Sequence, residues 1–240
     1  MRNQSALEFM TIVATGLLLL VVASYFGYNY IINYTQDIDA LNARQMSNNL
    51  VSAVNLVYSQ GVGAKTRISF TVPNNLVLNR TYASNREINV RFGDPPADAV
   101  GVPAVTVYGT LPTRAGPNAL YVEMKSDGAE LRIEDAISLL KVVTYSDAAH
   151  TIRNGNFTRG NTVYYSVRIE DFSGNATNAN LSISVYKPDM SISGYGTSGS
   201  SNGFFNNSFV LNAGDSTGYW LVSALQDSER IIGTKLIYVN

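Results

Sequence analysis

The sequence predicts an α+β protein: one long N-terminal hydrophobic helix, then an all-β head of two β-sandwich-like parts. Three observations carry that prediction. The segment from Phe9 to Phe26 is 18 residues long and carries no charged side chain. Between Leu17 and Gln60 the only helix breaker is Gly27, and no proline occurs before Pro73. After Gly63 the hydrophobic period changes from helical to two.

Composition narrows the function before any motif is read. The 240-residue chain has 17 basic and 18 acidic side chains, one histidine and no cysteine. A disulfide framework, a thiol nucleophile and a Cys/His zinc centre are excluded. The balanced charge contains no basic run, which argues against a nucleic-acid partner.

The elements follow in chain order. A helix of about 20 apolar residues crosses a bilayer core, so residues 9–28 are expected to span a membrane. Tyr25, Phe26, Tyr28, Tyr30 and Tyr34 cluster at the far end of the run, as residues of an interfacial aromatic belt do, and Arg2 favours a cytoplasmic start. The run lacks a small-residue cleavage site at its end, so it is expected to stay on the mature chain. Downstream, Ile31, Ile38, Leu41, Met46, Leu50, Ala53, Val54 and Val57 recur at helical spacing. Asp37, Asp39, Asn42, Arg44, Asn48 and Asn49 fall between them. The same helix is therefore expected to continue, amphipathic, to about residue 60 and to stop at Gly61-Val62-Gly63.

Period-two alternation then marks strands at Ile68/Phe70/Val72, Ile88/Val90/Phe92, Leu120/Val122/Met124 and Leu131/Ile133. Ser126-Asp127-Gly128 reads as a hairpin turn between the last two. A second alternating set runs through Tyr165/Val167/Ile169, Leu181/Ile183/Val185, Trp220/Val222 and residues 232–239. Residues 191–208 are almost wholly Ser, Gly, Asn, Thr and aromatic, and read as a long exposed loop. The expected organisation is a leader at 1–3, the helix at 4–60, one β-rich part at 61–135 and a second at 136–240.

Candidate chemistry is sparse, and no catalytic residue, cofactor or metal site is expected. His150, the only histidine, lies in a polar stretch far from any nucleophile elbow. Gly194-Tyr195-Gly196-Thr197-Ser198-Gly199 matches a dinucleotide fingerprint by letter, without its strand and helix. Asp171-Phe172-Ser173-Gly174-Asn175 spaces oxygen ligands like part of a calcium loop, but the glycine falls too early and no bidentate Glu follows. Pairs such as Glu134-Asp135 read as turn charges.

The residues Asn3-Gln4-Ser5-Ala6-Leu7-Glu8-Phe9, followed by the apolar run, resemble the class III signal of archaeal type IV pilins. The resemblance covers about 30 residues. It implies that a membrane-bound, prepilin-peptidase-like enzyme cuts between Asn3 and Gln4 and leaves the helix on the mature chain. It also implies that Glu8, the fifth mature residue, aids assembly with other pilin subunits into a helical polymer. Asn3 stands where the family commonly has Gly. Residues 61–135, which open with Thr66-Arg67-Ile68-Ser69-Phe70-Thr71-Val72-Pro73, loosely resemble a pilin head, and residues 136–240 resemble an immunoglobulin-like surface domain in pattern.

The expected location is the cell membrane, single-pass with an external head, and an extracellular filament after assembly. The expected function is a major or minor subunit of a type IV pilus-like filament, with adhesion to host or surface glycans as an added role. The rival reading is a membrane-anchored extracellular binding protein that does not polymerise. Glycosylation sequons stand at Asn79, Asn156, Asn175, Asn180 and Asn206, and at Asn33 near the membrane exit. Residues 61–240 carry 15 basic and 15 acidic side chains, which suits a neutral external surface.

Overall fold

The computed structural model describes residues 2–134, 137–226 and 230–240. The chain forms two compact units, Met1–Asp39 and Ala40–Asn240. The helix α1 runs Arg2–Gln60, and a short 3-10 turn spans Leu78–Arg80. The long helix stops where the sequence places its stop: Gly61 takes a positive φ of 92° and donates its N–H to the Val57 carbonyl at 3.1 Å. Such a left-handed glycine satisfies a carbonyl that the last turn leaves open.

In the second unit α1 buries Ala43, Met46, Leu50, Ala53, Val54 and Val57 in the main core. That spacing is a stripe of helical period. The stripe is narrower than the sequence pattern implied, because Ile31 and Leu41 are exposed while Asp39, expected on the polar face, is buried.

Among the described residues fifteen strands follow. The first seven are β1 (Lys65–Val72), β2 (Tyr82–Ser84), β3 (Glu87–Phe92), β4 (Ala97–Gly101), β5 (Val107–Pro112), β6 (Gly116–Lys125) and β7 (Gly128–Ile133). The remainder are β8 (Leu139–Tyr145), β9 (Asn156–Phe157), β10 (Thr162–Glu170), β11 (Asn180–Tyr186), β12 (Ile192–Gly199), β13 (Phe204–Val210), β14 (Gly218–Gln226) and β15 (Ile231–Val239). They form a nine-stranded sheet in the order β1-β6-β7-β5-β15-β14-β11-β12, with β9 joined to β15, and two three-stranded sheets, β13-β10-β8 and β2-β3-β4.

The alternating segments are strands as expected, and the hairpin at Ser126-Asp127 pairs β6 with β7 from Lys125↔Gly128 to Leu120↔Ile133. Residues 191–208 differ from expectation: most of them form β12 and β13, not a loop. Backbone pairing of β12 with β11, from Asn180↔Gly199 onward, needs no apolar side chain, so the alternation that marks other strands is missing there. Pro117 lies inside β6 opposite Thr71, at an end of the strand where β7 no longer pairs and its missing N–H costs no ladder bond.

The two strand sets share one sheet. β15 of the second set pairs with β5 of the first through Ile231↔Pro112 and Gly233↔Thr110. They also share one core, in which Leu120 and Leu131 cluster with Val167, Leu181 and Ile232. A smaller cluster forms around the buried Trp220, whose indole N–H donates to the Ser216 carbonyl at 3.0 Å.

The three-stranded sheet β13-β10-β8 meets the large sheet where β8 crosses β15, and a glycine permits the crossing. A Cβ on Gly233 would lie 2.2 Å from the Leu140 carbonyl oxygen and 2.6 Å from the Leu140 Cβ. Backbone cannot swing away as a side-chain tip can. Gly233→Ala is therefore expected to destabilise the protein by about 3 kcal/mol, the upper part of the usual overpacking range. Chemical denaturation of the full chain in detergent checks this; a change within about 0.5 kcal/mol contradicts the crossing.

Candidate functional site

The most unusual feature of the first unit is its surface. Met10, Ile12, Val13, the run Leu17–Val22, Tyr25, Phe26, Tyr28, Tyr30 and Tyr34 are all exposed. Monomeric soluble proteins rarely leave apolar patches beyond a few hundred Å² open to water. Within Met10–Gln60 the chain is long and apolar enough to cross a membrane, with a window of mean hydropathy 2.0.

Three polar side chains in that segment bond to their own helix. Thr15 Oγ1 donates to the Thr11 carbonyl at 2.8 Å, Asn29 Nδ2 to the Tyr25 carbonyl at 3.0 Å, and Thr35 Oγ1 to the Ile32 carbonyl at 2.8 Å. A polar group satisfied this way needs no water, which is the condition for sitting in hydrocarbon. Tyr30 stacks on Tyr34 with ring centroids 6.3 Å apart, and Tyr25 meets Phe26 edge-on at 5.9 Å. These rings are amphipathic and gather where the run ends, as an interfacial belt requires.

Asn3, Gln4 and Glu8 lie on the α1 backbone, but their side chains fall outside those described. Of the sequons, Asn156, Asn175, Asn180 and Asn206 are exposed. The Asn175 amide already donates to Asp171 Oδ2 at 3.0 Å. Asn79 is half-buried and its Thr81 is fully buried, with Thr81 Oγ1 donating to the Val77 carbonyl at 2.9 Å.

The other sequence candidates resolve into structural roles. Asp171 accepts the Asn175 N–H at 2.8 Å besides the Asn175 amide, so its carboxylate closes the β10–β11 turn. The Asn175 bonds hold its pKa below the usual carboxylate range. Among the described residues no group of three or more acidic or histidine side chains is placed to hold a metal ion.

The letter-match to a dinucleotide loop is β12, an edge strand with no helix after it. His150 is half-buried. Its ring lies 5.1 Å from that of Tyr145 and 6.0 Å from that of Tyr164. Nearby Asp147 caps the turn by accepting the Ile152 N–H at 2.7 Å and the Thr151 hydroxyl at 2.7 Å.

Sequence reading missed a buried ionic cluster between the sheets. Arg132 on β7 donates through Nε to Glu130 at 2.6 Å and through Nη2 to Glu170 on β10, and Arg168 also pairs with Glu170. Glu130 and Glu170 are 5% and 3% exposed, so each carboxylate depends on these partners. Burial opposes the charge on Arg132, yet its bonds to Glu130 and Glu170 raise its pKa above the ordinary arginine value. An i, i+2 spacing of opposite charges was visible in Glu130/Arg132 on β7 and in Arg168/Glu170 on β10. Only the fold shows that all four meet.

No protein-family model and no curated protein matches the chain. Solved structures that match do so distantly. An Escherichia coli alpha-2-macroglobulin activated by porcine elastase aligns over 42% of this chain and 8% of its own, with 20% identity and a TM-score of 0.35. A DUF3823 family protein from Bacteroides ovatus aligns over 73% of this chain and 98% of its own, at 10% identity and TM-score 0.31. The CARDB domain of a Pyrococcus furiosus protein, solved with di-metal ions, aligns over 42% of this chain and 89% of its own, at 10% identity and TM-score 0.25. The aligned part spans 8 to 12% of the alpha-2-macroglobulins it matches.

Proposed function

We propose that the chain is a structural, non-enzymatic subunit of an archaeal type IV pilus-like surface filament. Its helix is held in the membrane before assembly and packed against other subunits' helices afterwards. The observation that carries this reading is the all-round apolar exposure of Met10–Phe26, in which Thr15 bonds back to the helix itself. A helix apolar on every side is stable only among lipids or other helices, and a filament core offers the second environment once the first is left. Head-to-tail contacts that do not close on themselves then give a fibre.

In this reading a prepilin-peptidase-like enzyme cuts before Gln4, the β head faces outward, and exposed Asn156, Asn180 and Asn206 carry glycans. The rival, an anchored binding protein that stays monomeric, shares the helix and the head and differs in its mature start and its assembly. The test is intact mass and N-terminal sequencing of protein sheared from native cells, with sedimentation of the sheared fraction. A chain that starts at Gln4 and pellets as a polymer supports the filament. One that keeps Arg2 and stays monomeric in detergent supports the anchor. A chain that starts beyond Gly27 overturns both.

A further inference from the structure

A second feature of the head belongs to none of this. A cavity of about 240 Å³ opens between β5, the β6–β7 turn, β8, the loop after β8 and β15. Three cationic side chains line it, Lys141, Arg153 and Lys235, with a single carboxylate, Asp127.

That carboxylate is already committed. Asp127 Oδ1 accepts the Tyr108 hydroxyl at 2.6 Å; Oδ2 accepts Lys141 Nζ at 3.0 Å and faces Arg153 at 4.0 Å. Lys141 Nζ is further held 3.7 Å from the centre of the Tyr108 ring. Lys235 donates only to the neutral Asn85 Oδ1, at 3.0 Å, and among the described residues no carboxylate pairs with it. Glu130, the other acid near Tyr108, is taken by Arg132. Burial, then repulsion from Arg153 and Lys141, pushes the Lys235 pKa down.

Three positive charges thus converge on one recess with one negative charge to offset them. Like charges in a partly desolvated site repel strongly, and an anion drawn into the recess removes that repulsion and gains charge-assisted hydrogen bonds. The recess is too small for a peptide segment, and Lys141, Arg153, Lys235 and Asp127 stand in it beside the apolar Val107, Val142 and Val143. We propose that this cavity binds a small oxyanion, namely sulfate, phosphate or the carboxylate of an acidic sugar, held between Lys235, Lys141 and Arg153. The assignment is independent of the filament reading, since it uses only residues of the head.

The test is thermal unfolding of the full chain in detergent, at constant ionic strength set with chloride, during titration with sodium sulfate, sodium phosphate or sodium glucuronate. The expected result is a saturable rise in Tm with its midpoint at or below about 10 mM. In Lys235→Met that midpoint moves up by about tenfold or more, as loss of one charged donor implies. In chloride alone Lys235→Met is as stable as the native chain or more so, because a repulsive charge has gone. Arg153→Gln, at a side chain 65% exposed, weakens binding likewise without burdening the fold and stands in if Lys235→Met fails to fold. Equal midpoints for the three salts identify a free oxyanion as ligand, and a glucuronate midpoint about tenfold lower identifies the acid sugar. A linear rise without saturation, or the same rise in the native chain and both variants, is a general salt effect and overturns the site.

Discussion

Replacing Arg132 with Met is expected to cost the head about 3 to 5 kcal/mol at pH 7, the usual penalty for stranding a buried charge. Glu130 has its one ion pair with Arg132, while Glu170 keeps Arg168. At 5% exposure Glu130 cannot recruit much water in exchange. For a domain of this size the loss lowers Tm by about 10 °C. The sign of its pH dependence is fixed. An unpaired buried carboxyl has a folded pKa above its unfolded value of about 4.3. It destabilises at pH above that unfolded value and ceases to do so below it.

The deficit of Arg132→Met should therefore shrink as pH falls from 7 to about 4. The double variant Glu130→Leu/Arg132→Met should recover a large part of the loss at pH 7, since an apolar pair has no charge to strand. Denaturant titrations of the three proteins at both pH values decide the matter. A loss under about 1 kcal/mol in the single variant, or a deficit that grows on acidification, shows that the cluster does not clip the sheets together.

That cluster also marks where sequence reasoning stopped. The helix was legible because its signal is local: 18 uncharged residues, then a stripe, then glycines. Strands such as β6 and β11 were legible because buried apolar residues alternate with partly exposed ones along them. β12 and β13 were not: β12 is mostly Gly, Ser and Thr, and in β13 the apolar residues sit in pairs, Phe204-Phe205 and Phe209-Val210, instead of alternating. β5 was hidden by Gly109 and Pro112, and the structure gives Gly109 its reason: a Cβ there would lie 2.3 Å from the Leu131 carbonyl oxygen.

The division near residue 135 reflected a change of texture, whereas the β5–β15 pairing that spans it joins segments more than a hundred residues apart. Non-local pairing leaves no mark in either strand alone. The cationic cavity was illegible for the same reason: Lys141, Arg153 and Lys235 are unremarkable until three segments bring them together. The proposed assembly residue is the opposite case. Glu8 stands out in the sequence as a lone charge beside an apolar run, and its assembly role is what the resemblance to type IV pilins implies.

Glu8→Ala is expected to leave membrane insertion and processing intact and to reduce sheared filament by about a hundredfold. The argument starts from cost. A carboxylate at mid-bilayer costs up to a few kcal/mol, and less near a helix end. Glu8 is the only charged side chain between Gln4 and Gln36, so the helix tolerates the membrane with that one penalty. Removing the carboxylate makes insertion easier, not harder.

In the filament proposed above the same group would enter a dry bundle and would need a counter-charge. Cleavage before Gln4 would supply one, the new α-amino group of a neighbouring subunit. A pair of this kind fixes the axial register between subunits, and deleting one partner of it costs about 3 kcal/mol, which is about two orders of magnitude in an association constant. Because every subunit repeats the contact, the loss compounds along the fibre. Glu8→Gln should fail in the same way, since it keeps the shape and loses the charge. The measurement is the ratio of sheared, pelletable protein to membrane-extracted protein, with intact mass to confirm the start at Gln4. Filaments at native yield from Glu8→Ala would remove the pairing and leave apolar helix packing alone to hold the fibre. An accumulation of unprocessed chain would instead move the role of Glu8 from assembly to cleavage.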